Sequence, residues 1–501
     1  MTEKFLIANP NPEYLIKSIA EQGYSLKTAL ADLIDNSITA NADRIEILTN
    51  TETSPFELFL ADNGDGMDYS SLKKNLQFPS QSPEHDRDSK DLGRFGLGLK
   101  TASFSQTRKF TVISKKKGSN EFSGITWDVE HLKKSNRWEI IINNHSEISE
   151  YLKKYNDLSK AHLERSEKFF PNTIIVWQGL YKFENYLDNS NKIDAFNDEI
   201  TNNTSQHLSI VFHRFLESQT NKIEIRVNNS IVKPFNPFPI NNSSIRSLET
   251  SQKSVGDDTV KIQGFVLPNS SIRESKSTNS IWTPISKSLI DMEGLYVYRS
   301  NRLIIIGGWN DLIKKTPRMQ LARLRIEIGN KIDHLFQLTV DKSEINIPYE
   351  LKNSFLREII KLKSEAQKEY FNHVLVNVPN KQKNDKNELF YKVATNKGVL
   401  MNYNDNFPLL KSLKTSLNSN QIAELNFILK MSSNLINKVR QVDNIQITGD
   451  AEKDGISTVE IVKSINELLT LGLSKEQIKK DILPNLGLKD NLTEEISNLL
   501  N

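Results

Sequence analysis

The chain has 501 residues, of which 37% are hydrophobic and 25% charged, and its formal net charge is +3. That length exceeds one ordinary core and predicts about three domains. The absence of cysteine excludes disulfides, thiolate metal sites and a cysteine nucleophile, and the near balance of charge leaves any nucleic-acid contact to a local patch. The opening MTEKFLIANPNPEYL carries charge and proline without a long apolar run, which predicts a cytoplasmic chain with no signal peptide and no membrane segment.

In chain order, residues 12–42 are predicted as helix, because Leu15, Ile19, Leu30, Leu33, Ile34 and Ile38 recur at helical spacing. β-rich runs follow at 44–48 and 56–62. Residues 109–129 read as a hairpin turning at Gly118, and another strand begins at Thr173. This mixture predicts an α/β sandwich with an antiparallel-leaning sheet, not a doubly wound parallel sheet. A second unit is predicted from about residue 195. It opens with a helix burying Leu208, Val211, Phe212 and Phe215, continues with a hairpin turning at Asn228–Asn229, and adds strands at 260–267, 294–308, 322–328 and 336–341. A helix of several turns spans 349–375, and a polar stretch at 378–388 reads as linker. The last hundred residues are predicted helical, with N-caps at Ser457, Ser474 and Asn491, each followed three residues later by Glu or Gln. The segment LTLGLSKEQI faintly suggests a helix-turn-helix, but a small packing or docking bundle is the plainer reading.

Chemistry concentrates in the first 180 residues. DLIDNS, Asp32 to Ser37, would stand on a helix, and DNGDGM, Asp62 to Met67, would close a strand. The second segment fails as a calcium loop, since Gly64 and Gly66 occupy ligand positions and the twelfth residue is Lys73. DLGRFGLGLKTASF, Asp91 to Phe104, suggests a phosphate loop but fits neither common pattern. Leu99 separates Gly98 from Lys100, which breaks a P-loop, and the glycine order is wrong for a dinucleotide fingerprint. Singly, each segment is also an ordinary exposed helix, turn or flexible loop.

Their order changes the odds. An acid- and Asn-bearing helix, a strand ending in Asp-x-Gly-x-Gly, a glycine-rich loop opening a helix and a late Thr173 strand together resemble the GHKL ATPases. That superfamily holds gyrase B, the heat-shock chaperone ATPase, MutL and sensor histidine kinases. The resemblance implies an α+β chain: a GHKL (Bergerat) α/β sandwich ATPase domain at 1–190, a transducer-like α/β domain at 191–378, a linker at 379–395 and a small C-terminal helical region at 396–501. It implies ATP and Mg2+ as ligands. Asn36 would bind the metal through a neutral amide oxygen, its charge already met by phosphates. Asp62 would accept from the adenine amine, with Gly64 and Gly66 letting the backbone pass close to the base and Met67 among the residues that bind the nucleotide. Gly93, Arg94, Phe95, Gly96, Leu97, Gly98, Leu99, Lys100 and Thr101 would form the lid over the triphosphate, using backbone N–H groups. Lys100 and Thr101 would lie in the helix itself. Thr173 would place a hydroxyl near the adenine, although Asn172 stands where the family usually has glycine.

Hydrolysing members of the gyrase–MutL branch carry Glu four residues before the metal-binding Asn. Here that place holds Asp32, one methylene shorter, which implies slow hydrolysis with Asp32 as general base. Asp35 is the poorer candidate for that role, since one residue before Asn36 it points to a different helix face from Asn36. His207 and His213 follow the ATPase region and read as core or surface histidines. FQLTVDKSEINIP resembles the MutL loop that sends a lysine to the terminal phosphate, which assigns that role to Lys342.

Residues 10 to about 375 are most similar to bacterial relatives of the MORC ATPases, MutL-like proteins associated with restriction and phage defence. That implies an ATP-driven dimerising clamp acting on DNA with protein partners such as a nuclease or helicase. Lys314, Lys315, Arg318, Arg323 and Arg325, and separately Lys115–Lys117, are the candidate DNA contacts. A chaperone-like ATPase acting on protein clients and a non-hydrolysing ATP-sensing adaptor stay open as alternatives.

Overall fold

The computed structural model describes residues 10–21, 23–77, 98–161, 169–185, 188–228, 230–240, 244–256, 258–329, 332–336, 346–376, 389–395 and 398–442, with short pieces between 462 and 500. Two compact units are present. One comprises 1–265, 273–315 and 323–359; the other comprises 266–272, 316–322 and 360–501.

The larger unit begins with α1 (Pro12–Ala20) and α2 (Leu26–Thr39), where one continuous helix was expected. The break has a local cause. Gly23 adopts φ +83, and Ser25 caps the new helix through a reciprocal capping box with Thr28. Strands β1 (Arg44–Asn50) and β2 (Glu57–Asp62), α3 (Tyr69–Leu76) and α4 (Gly98–Phe104) follow. Next come β3 (Thr107–Ser114) and β4 (Ser123–Asp128), the expected antiparallel hairpin, with Gly118 at φ +87 in its turn. Then come α5 (Val129–Ser135), β5 (Ile141–Asn143), α6 (His145–Ala161) and β6 (Thr173–Leu180). Helices α7 (Tyr181–Glu184) and α8 (Asn189–Asp198) lead through a π-helical turn, Glu199–Thr204, into α9 (Ser205–Val211) and α10 (His213–Leu216).

Strands β7 (Glu224–Val227) and β8 (Ser230–Ile231) form the hairpin expected to belong to the second unit. The structure places it on the first sheet instead: β7 pairs parallel with β1, giving the order β5-β4-β3-β6-β2-β1-β7-β8. All other pairings in this sheet are antiparallel. Strand alternation decides what each face carries. Leu58 and Leu60 of β2 join the main core with Leu30, Leu33 and Ile34 of α2, whereas Phe59 and Ala61 face Tyr155 of α6 on the reverse side. The sheet is thus an α/β sandwich layer, as expected.

A second sheet contains β9 (Arg246–Ser247), β10 (Ser251–Val255), β11 (Asp258–Val266), β12 (Gly294–Arg299), β13 (Arg302–Ile306) and β14 (Ala322–Ile328), ordered β10-β11-β14-β12-β13 with β9 on β11. Short α11 (Ser271–Glu274) follows β11 in the chain. Helix α9 serves both cores: Leu208 and Val211 pack with the first sheet, and Ile210 packs with Tyr296, Tyr298 and Leu303 of the second.

Helix α12 (Tyr349–Val376) matches expectation. Residues Phe390–Thr395 (β15) and Gly398–Tyr403 (β16) form an antiparallel hairpin where linker and helix were expected. FYKVAT and GVLMNY are rich in β-branched and aromatic residues, which suit paired strands. Helices α13 (Pro408–Ser416) and α14 (Ser419–Val442) follow. Ser474 makes the expected capping box with Gln477, and Ile465, Ile478, Leu483, Ile496 and Leu500 share a small apolar cluster. The caps expected at Ser457 and Asn491 lie outside the described residues.

Candidate nucleotide site on α2 and the end of β2

The parity that buries Leu58 and Leu60 also turns Asp62 toward α2. Its β6 partner in register is Thr173, which shares its face with Ile175 and Trp177. Asp62 is buried and held at both oxygens: the Ser37 hydroxyl donates to Oδ2 at 3.0 Å, and the Gly64 N–H donates to Oδ1 at 2.9 Å. Burial pushes its carboxyl up to about 6, against the pull of those two donors. The Ser37–Asp62 bond places this carboxylate one residue from Asn36, which is half-buried on α2. Helix α4, which begins at Gly98, packs on α2.

The glycines after Asp62 are required by protein backbone. A Cβ on Gly64 would lie 2.6 Å from the Ala40 carbonyl oxygen, and Gly66, at φ +62, would drive a Cβ into the Lys115 carbonyl. The loop is therefore tucked between the end of α2 and the end of β3. Asn172, expected to weaken the pattern, in fact staples this loop. Its Nδ2 donates to the Gly64 carbonyl at 2.7 Å and to the Asn63 carbonyl at 3.3 Å, and its own N–H donates to the Asp62 carbonyl at 2.7 Å. Sequence reasoning missed this role; the amide at the residue before Thr173 was its one signal. The Thr173 hydroxyl meets the Ser114 hydroxyl at 2.8 Å, and Ser114 also accepts from the Met67 N–H at 2.9 Å.

Asp32 and Asp35 are both buried on α2. The Tyr24 hydroxyl donates to Asp32 Oδ2 at 2.8 Å. Arg302, the first residue of β13, lies with Nη2 3.7 Å from Asp32 Oδ1 and with Nε 2.7 Å from an Asp35 oxygen. The sequence carried no signal of this pair, because 267 positions separate Arg302 from Asp35.

Lys100 and Thr101 lie in α4, as expected, but the Lys100 amine does not stand in open space. It is buried and donates to the Asn75 and Gln77 carbonyls at 2.9 and 2.8 Å, capping the C-terminal end of α3. Desolvation pushes that amine down to about 8. Leu99 packs against the main core. Gly93, Arg94, Phe95, Gly96 and Leu97 of the expected lid, and Lys342, lie outside the described residues.

His213 is a core histidine, bonded to Tyr298 at 2.9 Å and Glu217 at 3.0 Å. Desolvation, with Arg302 and Lys27 nearby, pushes His207 down to about 3. Of the basic run, Arg323 is buried against the Pro237 and Trp282 carbonyls, and Arg325 engages Glu327 and Gln263. Lys314 and Lys315 are exposed. Among the described residues no group of three or more His, Asp or Glu could hold a metal ion, and no helix is long and apolar enough to cross a membrane.

A buried carboxylate acceptor stands beside a half-exposed amide, as an adenine amine and a phosphate-borne divalent cation require. Residues 24–162 match the family model described as histidine kinase-, DNA gyrase B-, and HSP90-like ATPase. The chain is similar to ATPase MORC2B of Mus musculus, 36% identical over 94 residues, and to ATPase MORC2 of Homo sapiens, 35% identical over 91 residues. Each match covers 18% of this chain and only 9% of the relative's length. Residues 24–162 therefore form an ATPase domain of the GHKL superfamily, of the type found in MORC proteins.

Proposed function

We propose that this chain binds Mg-ATP at the α2–β2 site and hydrolyses it slowly as a conformational switch. The observation that carries the reading is the buried Asp62 carboxylate, tied by Ser37 to the turn of α2 that bears Asn36. Asp62 accepts from the exocyclic amine of adenine, which distinguishes it from guanine, whose carbonyl would face the carboxylate. Thr173 lines the same edge. Asn36 offers its amide oxygen to Mg2+, which supplies charge neutralisation at the triphosphate when bound. Backbone N–H groups from Gly93 to Leu99 close over the phosphates, with Arg94, Phe95 and Leu97 in that cover, and Lys342 meets the terminal phosphate. In hydrolysis the water oxygen bonds to the terminal phosphorus while the bond to the leaving ADP oxygen breaks. Asp32 takes the water's proton.

By similarity to the MORC type, ATP binding drives homodimerisation, and the clamp acts on DNA with nuclease or helicase partners in restriction or phage defence, in the cytoplasm. Lys314, Lys315, Arg318 and Lys115–Lys117 carry the DNA contacts, because Arg323 and Arg325 are engaged internally. A second reading, ATP sensing without turnover, is favoured by the engagement of Asp32 with Tyr24 and Arg302.

The test is ATP turnover with and without DNA across a salt series, for wild type and Asn36→Ala. The expected result is DNA-stimulated turnover that weakens steeply with salt and vanishes in Asn36→Ala. Turnover that survives Asn36→Ala would overturn the site, and ATP binding without turnover would establish the second reading.

A further inference from the structure

The β12–β13 hairpin turns through Ser300 and Asn301, at φ +48 and +69. Two successive positive φ values mark a type I′ turn, the tight turn that matches strand twist and fixes register. The next residue is Arg302, only 3% exposed, whose guanidinium lies 5.7 Å from the centre of the Phe212 ring. From there it reaches α2 and meets two carboxylates one turn apart: Asp35 through Nε at 2.7 Å and Asp32 through Nη2 at 3.7 Å. Tyr24 holds the opposite oxygen of Asp32 at 2.8 Å. Asp32 is thus bounded on both oxygens by groups from different parts of the chain, and one of them rides on the second sheet.

We propose that Arg302 is a positioning residue for ATP turnover. Its guanidinium hydrogen-bonds Asp35 through Nε and stands at ion-pair distance from Asp32 through Nη2, and that charge biases the direction in which the Asp32 carboxylate faces the attacking water. The inference rests on the reading of Asp32 as the group that takes the water's proton. An aspartate in the place of a glutamate has less reach, so its orientation matters more. A guanidinium can bridge two carboxylates with separate N–H groups, whereas a lysine ammonium is a point charge that can satisfy one. Because Arg302 follows a fixed turn on the second sheet, the position of that sheet is mechanically tied to the α2 carboxylates. The partners of Arg302 are the two α2 carboxylates, the Leu303 carbonyl and the Phe212 ring. Loss of Arg302 should therefore affect the chemical step and leave ground-state ATP binding in place.

The experiment uses the full chain and two variants, Arg302→Lys and the double variant Arg302→Gln/Asp35→Asn. The first keeps the charge and loses the fork. The second removes one charge of each sign, so the buried group keeps its net charge and folding is protected. In each, kcat is expected to fall about tenfold while the Kd for ATP stays within about twofold of wild type. A folded variant with wild-type kcat would overturn the proposal, as would a rise in Kd that accounts for the whole loss, since that would make Arg302 a shaper of the pocket only. If wild type binds ATP and does not turn it over, the hydrolytic reading falls and this inference falls with it. If wild type turns over and the variants match it, the inference alone falls.

Discussion

Asp62→Asn separates the cost of a buried charge from its use. The substitution keeps the side-chain shape and removes the charge. The asparagine oxygen can accept from the Gly64 N–H, and its NH2 can donate to the Ser37 oxygen, because that hydroxyl has a second acceptor in the Leu33 carbonyl at 3.3 Å. In the nucleotide-free protein the wild-type carboxyl sits at about 6, raised from 3.8 by burial. Between those two values the folded state holds a proton that the unfolded chain has lost, so stability falls as pH rises through that window and is level above it. Two units correspond to about 3 kcal/mol, an upper bound on what the ionised carboxylate costs the fold at neutral pH. Asp62→Asn should therefore raise the Tm of the nucleotide-free protein at pH 7.5 by about 2 °C or more. The gain should shrink as pH approaches 4. The same variant loses a charged acceptor for adenine, worth about 1.5–3 kcal/mol, and should weaken ATP binding by about 10- to 150-fold. Thermal unfolding across pH and equilibrium ATP titration read the two effects. A variant that is less stable than wild type at pH 7.5, or that binds ATP equally well, would refute the reasoning.

Two substitutions probe the loop that presents Asp62. Gly66→Ala meets both the positive φ and the Lys115 carbonyl, and should cost about 3 kcal/mol or more and abolish ATP binding; wild-type stability in thermal unfolding would contradict this. Asn172→Gly removes the donor to the Gly64 and Asn63 carbonyls, and should cost about 1–3 kcal/mol with a measurable loss of ATP affinity, since it frees a buried carbonyl.

What the sequence made legible was local or adjacent along the chain. The Asp62–Gly66 strand end, the Gly118 hairpin and the Ser474 cap each follow from residue types within a few positions. The side of the sheet that Asp62 faces follows from strand parity once Leu58 and Leu60 are placed in the core. What was not legible depends on distant pairing. The β7–β8 hairpin has the same local pattern whichever sheet receives it, and only its pairing with β1 decides. The need for glycine at 66 was expected, but the reason, the Lys115 carbonyl, comes from another hairpin. The place of Lys100 in a helix was legible, but the partners of its amine were not, because the Asn75 and Gln77 carbonyls lie 25 and 23 positions away along the chain. The break between α1 and α2 was missed because helical spacing of apolar residues continues across Gly23, whose positive φ periodicity does not register.

The most direct measurement is a structure of the full chain bound to a non-hydrolysable ATP analogue and Mg2+. The account predicts the adenine amine within hydrogen-bond distance of Asp62 and the metal on the Asn36 amide oxygen. A nucleotide bound elsewhere, or an adenine held in this cleft without Asp62, would contradict it.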